Sequence, residues 1–141
     1  MRILFVCLGN ICRSPMAEML ARDIIAKNSW EEKYQVDSCA ISSYEVGNPP
    51  HMGTVNILKE KKIPLVSHEA RQMTLEDYEK YDLILGMDNK NITKLKKDAP
   101  EKYRQKVHLF LENQEVPDPY YTGNFLETYT LLLKGMKKWL V

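Results

Sequence analysis

Residues 3–16 read ILFVCLGNICRSPM, and the fold follows from how this stretch divides. Ile3 to Val6 is a continuous apolar run, the pattern of a short strand buried on both faces. From Ser14 the period changes. Ala17, Leu20, Ala21, Ile24 and Ile25 recur at intervals of three and four, which predicts a helix ending near Asn28. Ser14 suits its N-cap and Pro15 its first position. The opening is therefore strand, tight loop, helix, with Cys7 and Cys12 inside the loop.

The same alternation continues along the chain. A second strand is expected over 34–41, a Ser-, Gly- and Pro-rich loop over 42–50, and a helix over 51–61 through Met52, Val55 and Leu58. Thr74 with Asp77 three residues on predicts a short helix over 74–81. The apolar run DLILGM (82–87) reads as the third strand, 88–99 as a helix, and KVHLFL (106–111) as the fourth strand. VPDPYYTGN (116–124) reads as a loop. A terminal helix follows, with Phe125, Tyr129, Leu132, Leu133 and Met136 on one face. Strands alternating with helices imply right-handed crossovers and a parallel sheet covered on both faces. The expectation is a single α/β domain over 1–141, a three-layer α/β/α, Rossmann-like arrangement with four parallel strands. In such sheets the site lies beyond the carboxyl ends of the strands. The Cys7 loop leaves the first strand there, and Ser38 and Asp88 also fall near strand ends.

Composition excludes several classes. Lys and Arg number 20 against 19 Asp and Glu, a net charge of +1, so no broad polyanion-binding face and no nucleic-acid partner are expected. The runs Lys59, Lys61, Lys62 and Lys94, Lys96, Lys97 read as solvated helix faces. No stretch approaches a membrane span, and MRILFVC leads directly into the loop rather than into a cleavage site. Three cysteines are too few for a disulfide scaffold. A reduced, cytoplasmic, monomeric protein is the expectation.

The chemistry rests on CLGNICRS (7–14). Cys7 and Cys12 have no second cysteine pair, and Cys39, His51, His68 and His108 do not form one, so no metal is expected. A permanent disulfide would close only a few residues of one tight loop. The third reading is a nucleophilic thiol in an anion cradle. A loop between strand and helix N-terminus presents successive backbone N–H groups to one point, and the helix dipole adds positive charge. Gly9 and Asn10 tolerate the unusual backbone angles such a loop needs. Arg13 supplies a planar fork suited to two phosphate oxygens. A cysteine in that field is favoured as thiolate, and the Ser14 hydroxyl is placed to hydrogen-bond its sulfur.

VCLGNICRSPMAE (6–18) closely resembles the phosphate-binding loop of the low-molecular-weight protein tyrosine phosphatases. VDS (36–38), VGNPP (46–50), ARQMT (70–74), YDLILGMD (81–88) and VPDPYY (116–121) fall in that family's order. The resemblance implies the phosphotyrosine protein phosphatase I-like fold, no cofactor, phosphotyrosine-containing proteins as partners and inorganic phosphate as product or inhibitor. It implies that Cys7 attacks phosphorus and becomes phosphocysteine. The amides of Leu8, Gly9, Asn10, Ile11, Cys12 and Arg13, with the Arg13 side chain, would bind the phosphoryl oxygens. Asn10 and Ser38 would support the loop, and Ser14 would help the thiolate leave. Asp118 would protonate the leaving oxygen and then activate water. An aspartate between two prolines is held rather than floppy, although a plain turn aspartate is its ordinary reading. His68 resembles a position supporting the loop from beneath. Reversible Cys7–Cys12 oxidation, with Cys12 as redox partner, also follows from the resemblance.

Tyr44, Tyr120 and Tyr121 are candidates for an aromatic rim, and Ile11 suits the face of a phenyl ring. Related arginine phosphatases typically carry threonine at that position and lack the paired tyrosines, so phosphotyrosine is favoured over phosphoarginine. Arsenate reductases of this fold need further cysteines, and residues 40–141 contain none. A non-catalytic phosphotyrosine-binding module would lack Cys7 or Asp118, and both are present. Two positions depart from the family. Cys39 replaces alanine or glycine, which reads as a small buried residue or, alternatively, a third redox partner. HMG (51–53) replaces an acidic-Pro-Arg start of the second helix.

Overall fold

A computed structural model describes residues 1–141. The strands are β1 (Arg2–Cys7), β2 (Gln35–Ala40), β3 (Leu83–Gly86) and β4 (Val107–Leu109). The helices are α1 (Arg13–Lys27), α2 (Met52–Glu60), α3 (Leu75–Lys80), α4 (Asn89–Asp98), α5 (Pro119–Thr122) and α6 (Phe125–Trp139), with a 3₁₀ turn at Glu101–Lys106. All strand pairs are parallel, in the order β2-β1-β3-β4. This is the three-layer α/β/α sandwich expected from the alternation.

Because successive strand residues face opposite sides, β1 divides its side chains between two cores. Ile3, Phe5 and Cys7 pack with Met16, Leu20, Leu58, Leu132 and Met136 from α1, α2 and α6. Leu4 and Val6 pack with Tyr78 and Leu95 from α3 and α4. Strand β1 is fully buried from Ile3 to Val6, which is why the sequence there shows no alternation.

Several boundaries differ from the expectation. Helix α1 starts at Arg13, with Cys12 at the N-cap position and no side-chain cap, so Ser14 and Pro15 lie inside the first turn. The Ser14 hydroxyl is engaged with Cys7 and Asn10 instead of capping. Helix α2 buries Thr54, Ile57 and Leu58 and leaves Met52 exposed. Helix α6 buries Leu132 and Met136 but not Leu133. Strand β4 ends at Leu109 because the chain then turns into a small hairpin closed by Leu111 and Gln114. The 116–124 loop contains helix α5, whose signals stand in the sequence: Asp118 caps it, Pro119 is its first residue and Gly123 (φ 73°) ends it left-handed.

Gly135 marks the tightest contact between α6 and the sheet. A Cβ there would lie 2.2 Å from Cε2 of Phe110, which is fully buried. Gly135→Ala is expected to destabilise the fold by about 2 kcal/mol, the overpacking cost exceeding the helix-propensity gain. Urea unfolding checks this, and an unchanged midpoint would contradict it.

Candidate active site

The chain runs from β1 outward to β2, and β3 returns on the other side of β1. The crevice of a doubly wound sheet opens at such a reversal, beyond the carboxyl ends of the two inner strands. Cys7 ends β1 and Asp88 lies two residues past β3.

Between them the loop is turned inside out. Its carbonyls point away from the centre: Cys7 O accepts from Ile41 N, Leu8 O from Ser42 N and Oγ, and Ile11 O from His51 N. Cys12 O accepts from Met16 N and Thr54 Oγ1. His68 Nε2 lies 3.1 Å from Asn10 O. The amides of Leu8, Gly9, Ile11, Cys12 and Arg13 have no acceptor in the protein, the condition an anion-binding nest requires. The Asn10 amide instead points at Cys7 Sγ (3.3 Å). Asn10 holds the turn at φ 60° and is fully buried. Its Nδ2 donates to Ser14 Oγ (2.8 Å) and Ser38 Oγ (3.0 Å), and Ser38 Oγ donates to the buried Glu18 (2.7 Å). Ser14 Oγ lies 3.0 Å from Cys7 Sγ.

Arg13 is 2 % exposed. Its Nη1 donates to Asp88 Oδ2 (2.7 Å) and Val116 O (2.9 Å), and Nη2 to Asp118 Oδ2 (3.3 Å). Burial works against its charge, but the facing Cys7 and Asp118, with Asp88, raise its pKa overall. Its Nε is buried and has no partner. Burial, then Cys7 and Asp118, push the Cys12 thiol up to about 12, so Cys12 is a neutral thiol at ordinary pH.

A cavity of about 220 Å³ opens onto Cys7. Leu8, Gly9, Ile11 and Cys12 line it with Tyr44, Glu45, Asp118, Tyr120 and Tyr121. The three tyrosines are exposed around the mouth, with the Tyr120 and Tyr121 rings edge-to-face at 5.2 Å. Asp118 Oδ1 accepts from Tyr120 N, so one carboxylate caps α5, faces Arg13 and borders the cavity. His51, the departure in the second helix, caps α2 through Gly53 N, stacks on Phe125 at 5.1 Å and meets Tyr120 edge-on at 6.0 Å. It props the rim from behind. Cys39 packs in the core opposite to Cys7, against Met73 Sδ (3.4 Å), as a small buried residue.

Sequence reading missed Glu45 and the prop formed by His51 and Phe125, and it marked Asp88 only as lying near a strand end. A carboxylate at a strand end after an apolar run is a findable signal for Asp88. The other contacts are created by packing.

Fold and site together define the class: a doubly wound α/β protein with a cysteine at the end of its first strand, in a loop whose amides have no acceptor in the protein. Comparison with known proteins narrows this. The family model for low molecular weight phosphotyrosine protein phosphatase matches residues 2–141. The low molecular weight protein-tyrosine-phosphatase YfkJ of Bacillus subtilis is 44% identical over 142 residues, 96% of this chain and 91% of that one. Its crystal structure superposes with a TM-score of 0.93 at 42% identity, covering 99% of this chain and 92% of that one. The human low molecular weight phosphotyrosine protein phosphatase is 42% identical over 129 residues, 86% of this chain and 80% of that one. The crystal structure of the Streptococcus pyogenes phosphatase SP-PTP superposes with a TM-score of 0.91 at 42% identity, covering 99% and 90%. The chain belongs to the low molecular weight phosphotyrosine protein phosphatase family, a family of hydrolases. No helix is long and apolar enough to cross a membrane.

Proposed function

We propose that the protein hydrolyses phosphotyrosine in proteins through a covalent Cys7 intermediate. The observation that carries this is the loop itself: five amides next to Cys7 with no acceptor in the protein, together with a buried guanidinium whose Nε has no partner. Cys7 Sγ attacks phosphorus. The amides and Arg13 hold the equatorial oxygens as charge spreads over them. Protonated Asp118 gives its proton to the departing tyrosine oxygen, leaving phosphocysteine and a carboxylate. That carboxylate then takes a proton from water, the water oxygen bonds phosphorus, and the S–P bond breaks. Ser14 O–H and Asn10 N–H stabilise the sulfur as it leaves with both electrons. Ile11 and the tyrosine rim supply apolar faces for the phenyl ring. A guanidinium phosphate finds no hydroxyl at Ile11, so phosphoarginine is the weaker reading.

The test is turnover of p-nitrophenyl phosphate, followed by a comparison of phosphotyrosine and phosphoarginine peptides. Binding without hydrolysis would overturn the enzymatic reading, and faster phosphoarginine turnover would overturn the substrate. Asp118→Asn is expected to lower kcat by about 10² to 10³-fold, the usual worth of a placed general acid, and more for phosphotyrosine than for the better p-nitrophenolate leaving group. Equal losses on both substrates would argue against proton donation by Asp118.

Oxidation of the site follows the same geometry. Peroxide converts Cys7 thiolate to sulfenic acid. The Cys12 thiol, which lines the same cavity, then displaces water to form a disulfide, and added thiol reduces it. Cys12 itself stays inert to peroxide as a neutral thiol. Peroxide-inactivated protein is expected to recover activity with dithiothreitol, whereas Cys12→Ser recovers only a minor fraction. Equal recovery in both would rule out the protective disulfide.

A further inference from the structure

Asn10 donates two hydrogen bonds and accepts one, and it does so in one orientation only. The Arg71 backbone N–H, which can only donate, lies 3.1 Å from Asn10 Oδ1. That contact turns Nδ2 toward Ser14 Oγ and Ser38 Oγ. Ser38 passes its single proton to Glu18. Ser14, accepting from Nδ2, has its own proton free to donate, with Cys7 Sγ at 3.0 Å nearer than its other acceptor, the Cys39 carbonyl at 3.4 Å. With the amide reversed, Oδ1 would draw the Ser14 proton away from the sulfur.

The Arg71 backbone is tied on one side to Ala40, through Ala40 N to Arg71 O and Met73 N to Ala40 O (2.8 Å each), and on the other by its own side chain. The guanidinium forks onto Asp77 (Nη1–Oδ2 2.9 Å, Nη2–Oδ1 3.1 Å) and reaches Asp37 Oδ2 (3.2 Å). Asp77 is buried and also binds Thr74 N and Oγ1, which anchors α3. Asp37 Oδ1 accepts from Ser38 N (2.8 Å), so the same clamp fixes the backbone of the other serine that Asn10 binds. Arg71 O accepts from Ala40 N at the end of β2. Burial opposes the Asp77 charge, yet Arg71 and Thr74 hold its carboxyl below the usual range.

We propose that Arg71, clamped by Asp37 and Asp77, is a positioning residue that sets the polarity of the hydrogen-bond chain ending on Cys7. The inference rests on Cys7 being the nucleophile. It assigns a part in thiolate stabilisation to a side chain that touches neither substrate nor the reacting atoms.

The test is alkylation of Cys7 by iodoacetamide, a neutral reagent, followed by mass spectrometry at pH 6 and pH 9.5. At pH 6 the rate reads how readily the thiolate forms. Arg71→Met is expected to slow Cys7 alkylation about tenfold at pH 6, the worth of weakening one hydrogen bond to a charged group, with rates within about twofold at pH 9.5. Arg71→Lys, which keeps a cation but not the fork, is expected to lose roughly threefold at pH 6 alone, and it carries the test if Arg71→Met does not fold. In an Asn10→Ala background, Arg71→Met should add nothing, because the effect runs through Asn10. Unchanged rates at pH 6, or faster alkylation at both pH values as from a merely loosened loop, would overturn the proposal. An additive loss without Asn10 would also overturn it. A wild-type Cys7 no more reactive than Cys12 and Cys39 at pH 6 would instead overturn the nucleophile assignment, and this inference with it.

Discussion

Cys7→Ser is expected to abolish turnover of p-nitrophenyl phosphate, with a loss of about 10⁴-fold or more, while leaving the fold and anion binding in place. Two donors stand next to the Cys7 sulfur. Ser14 Oγ stands 3.0 Å away and Asn10 N 3.3 Å away, distances set for sulfur. A serine oxygen has a shorter bond to Cβ, holds its proton at neutral pH and is a far poorer leaving group from phosphorus. Both chemical steps therefore fail. The loop amides and Arg13 are untouched by the change, so phosphate and phosphotyrosine peptides are expected to bind with similar affinity. Titration calorimetry of the variant with a phosphotyrosine peptide checks binding, and single-turnover assays check chemistry. Residual hydrolysis within a hundredfold of wild type would mean that Cys7 is not the nucleophile.

Arg13→Lys is expected to have the second largest effect, lowering kcat/KM by about 10³-fold although the charge is kept. The guanidinium performs three tasks from one buried position. Nη1 ties Asp88 and the Val116 carbonyl, Nη2 meets Asp118, and Nε, which has no partner, is the donor proposed for the phosphoryl group. An ammonium is a single point charge. If it pairs with Asp88 at the end of β3 it leaves the cradle, and if it enters the cradle it abandons Asp88. A stability loss of roughly 1–3 kcal/mol is therefore expected alongside the kinetic defect, since a partly buried carboxylate loses its fork partner. Steady-state kinetics and urea unfolding on one preparation separate the two. A variant with wild-type kcat/KM would show that the fork geometry is dispensable.

The cradle differs from the rest of the site in how it is built. The loop, with the proposed nucleophile Cys7 and the proposed clamp Arg13, lies within one strand-loop-helix segment, so local geometry brings them together. The proposed acid Asp118 caps α5, which carries the rim tyrosines. Catalytic placement and local secondary structure are thus coupled at a single carboxylate. The Asp118→Asn variant tests proton transfer more cleanly than Asp118→Ala because the amide oxygen still accepts from Tyr120 N.

How much of this was legible before the fold was known depends on the sequence separation of the contact. The buried strand Ile3–Val6, the turn at Gly9 and Asn10, the capping box at Thr74 and Asp77, and the C-x5-R-S spacing are local. Backbone sterics and hydrophobic periodicity specify them within a few residues, and they were read directly. Alternation of strand and helix then specified the parallel sheet and the end at which a site must lie. Features made by contacts across the chain were not legible. Nothing near residue 39 says that Cys39 faces the opposite core from Cys7; the register of β2 against β1 decides that. Nothing near residue 71 says that its amide meets Asn10, or that His51 would stack on Phe125. The sequence by itself determined a thiol in a tight loop between a buried strand and the head of a helix. Only the tertiary structure decided which distant carboxylates, rings and guanidinium close around it, because those distances are set by the packing of whole elements rather than by the preferences of neighbouring residues.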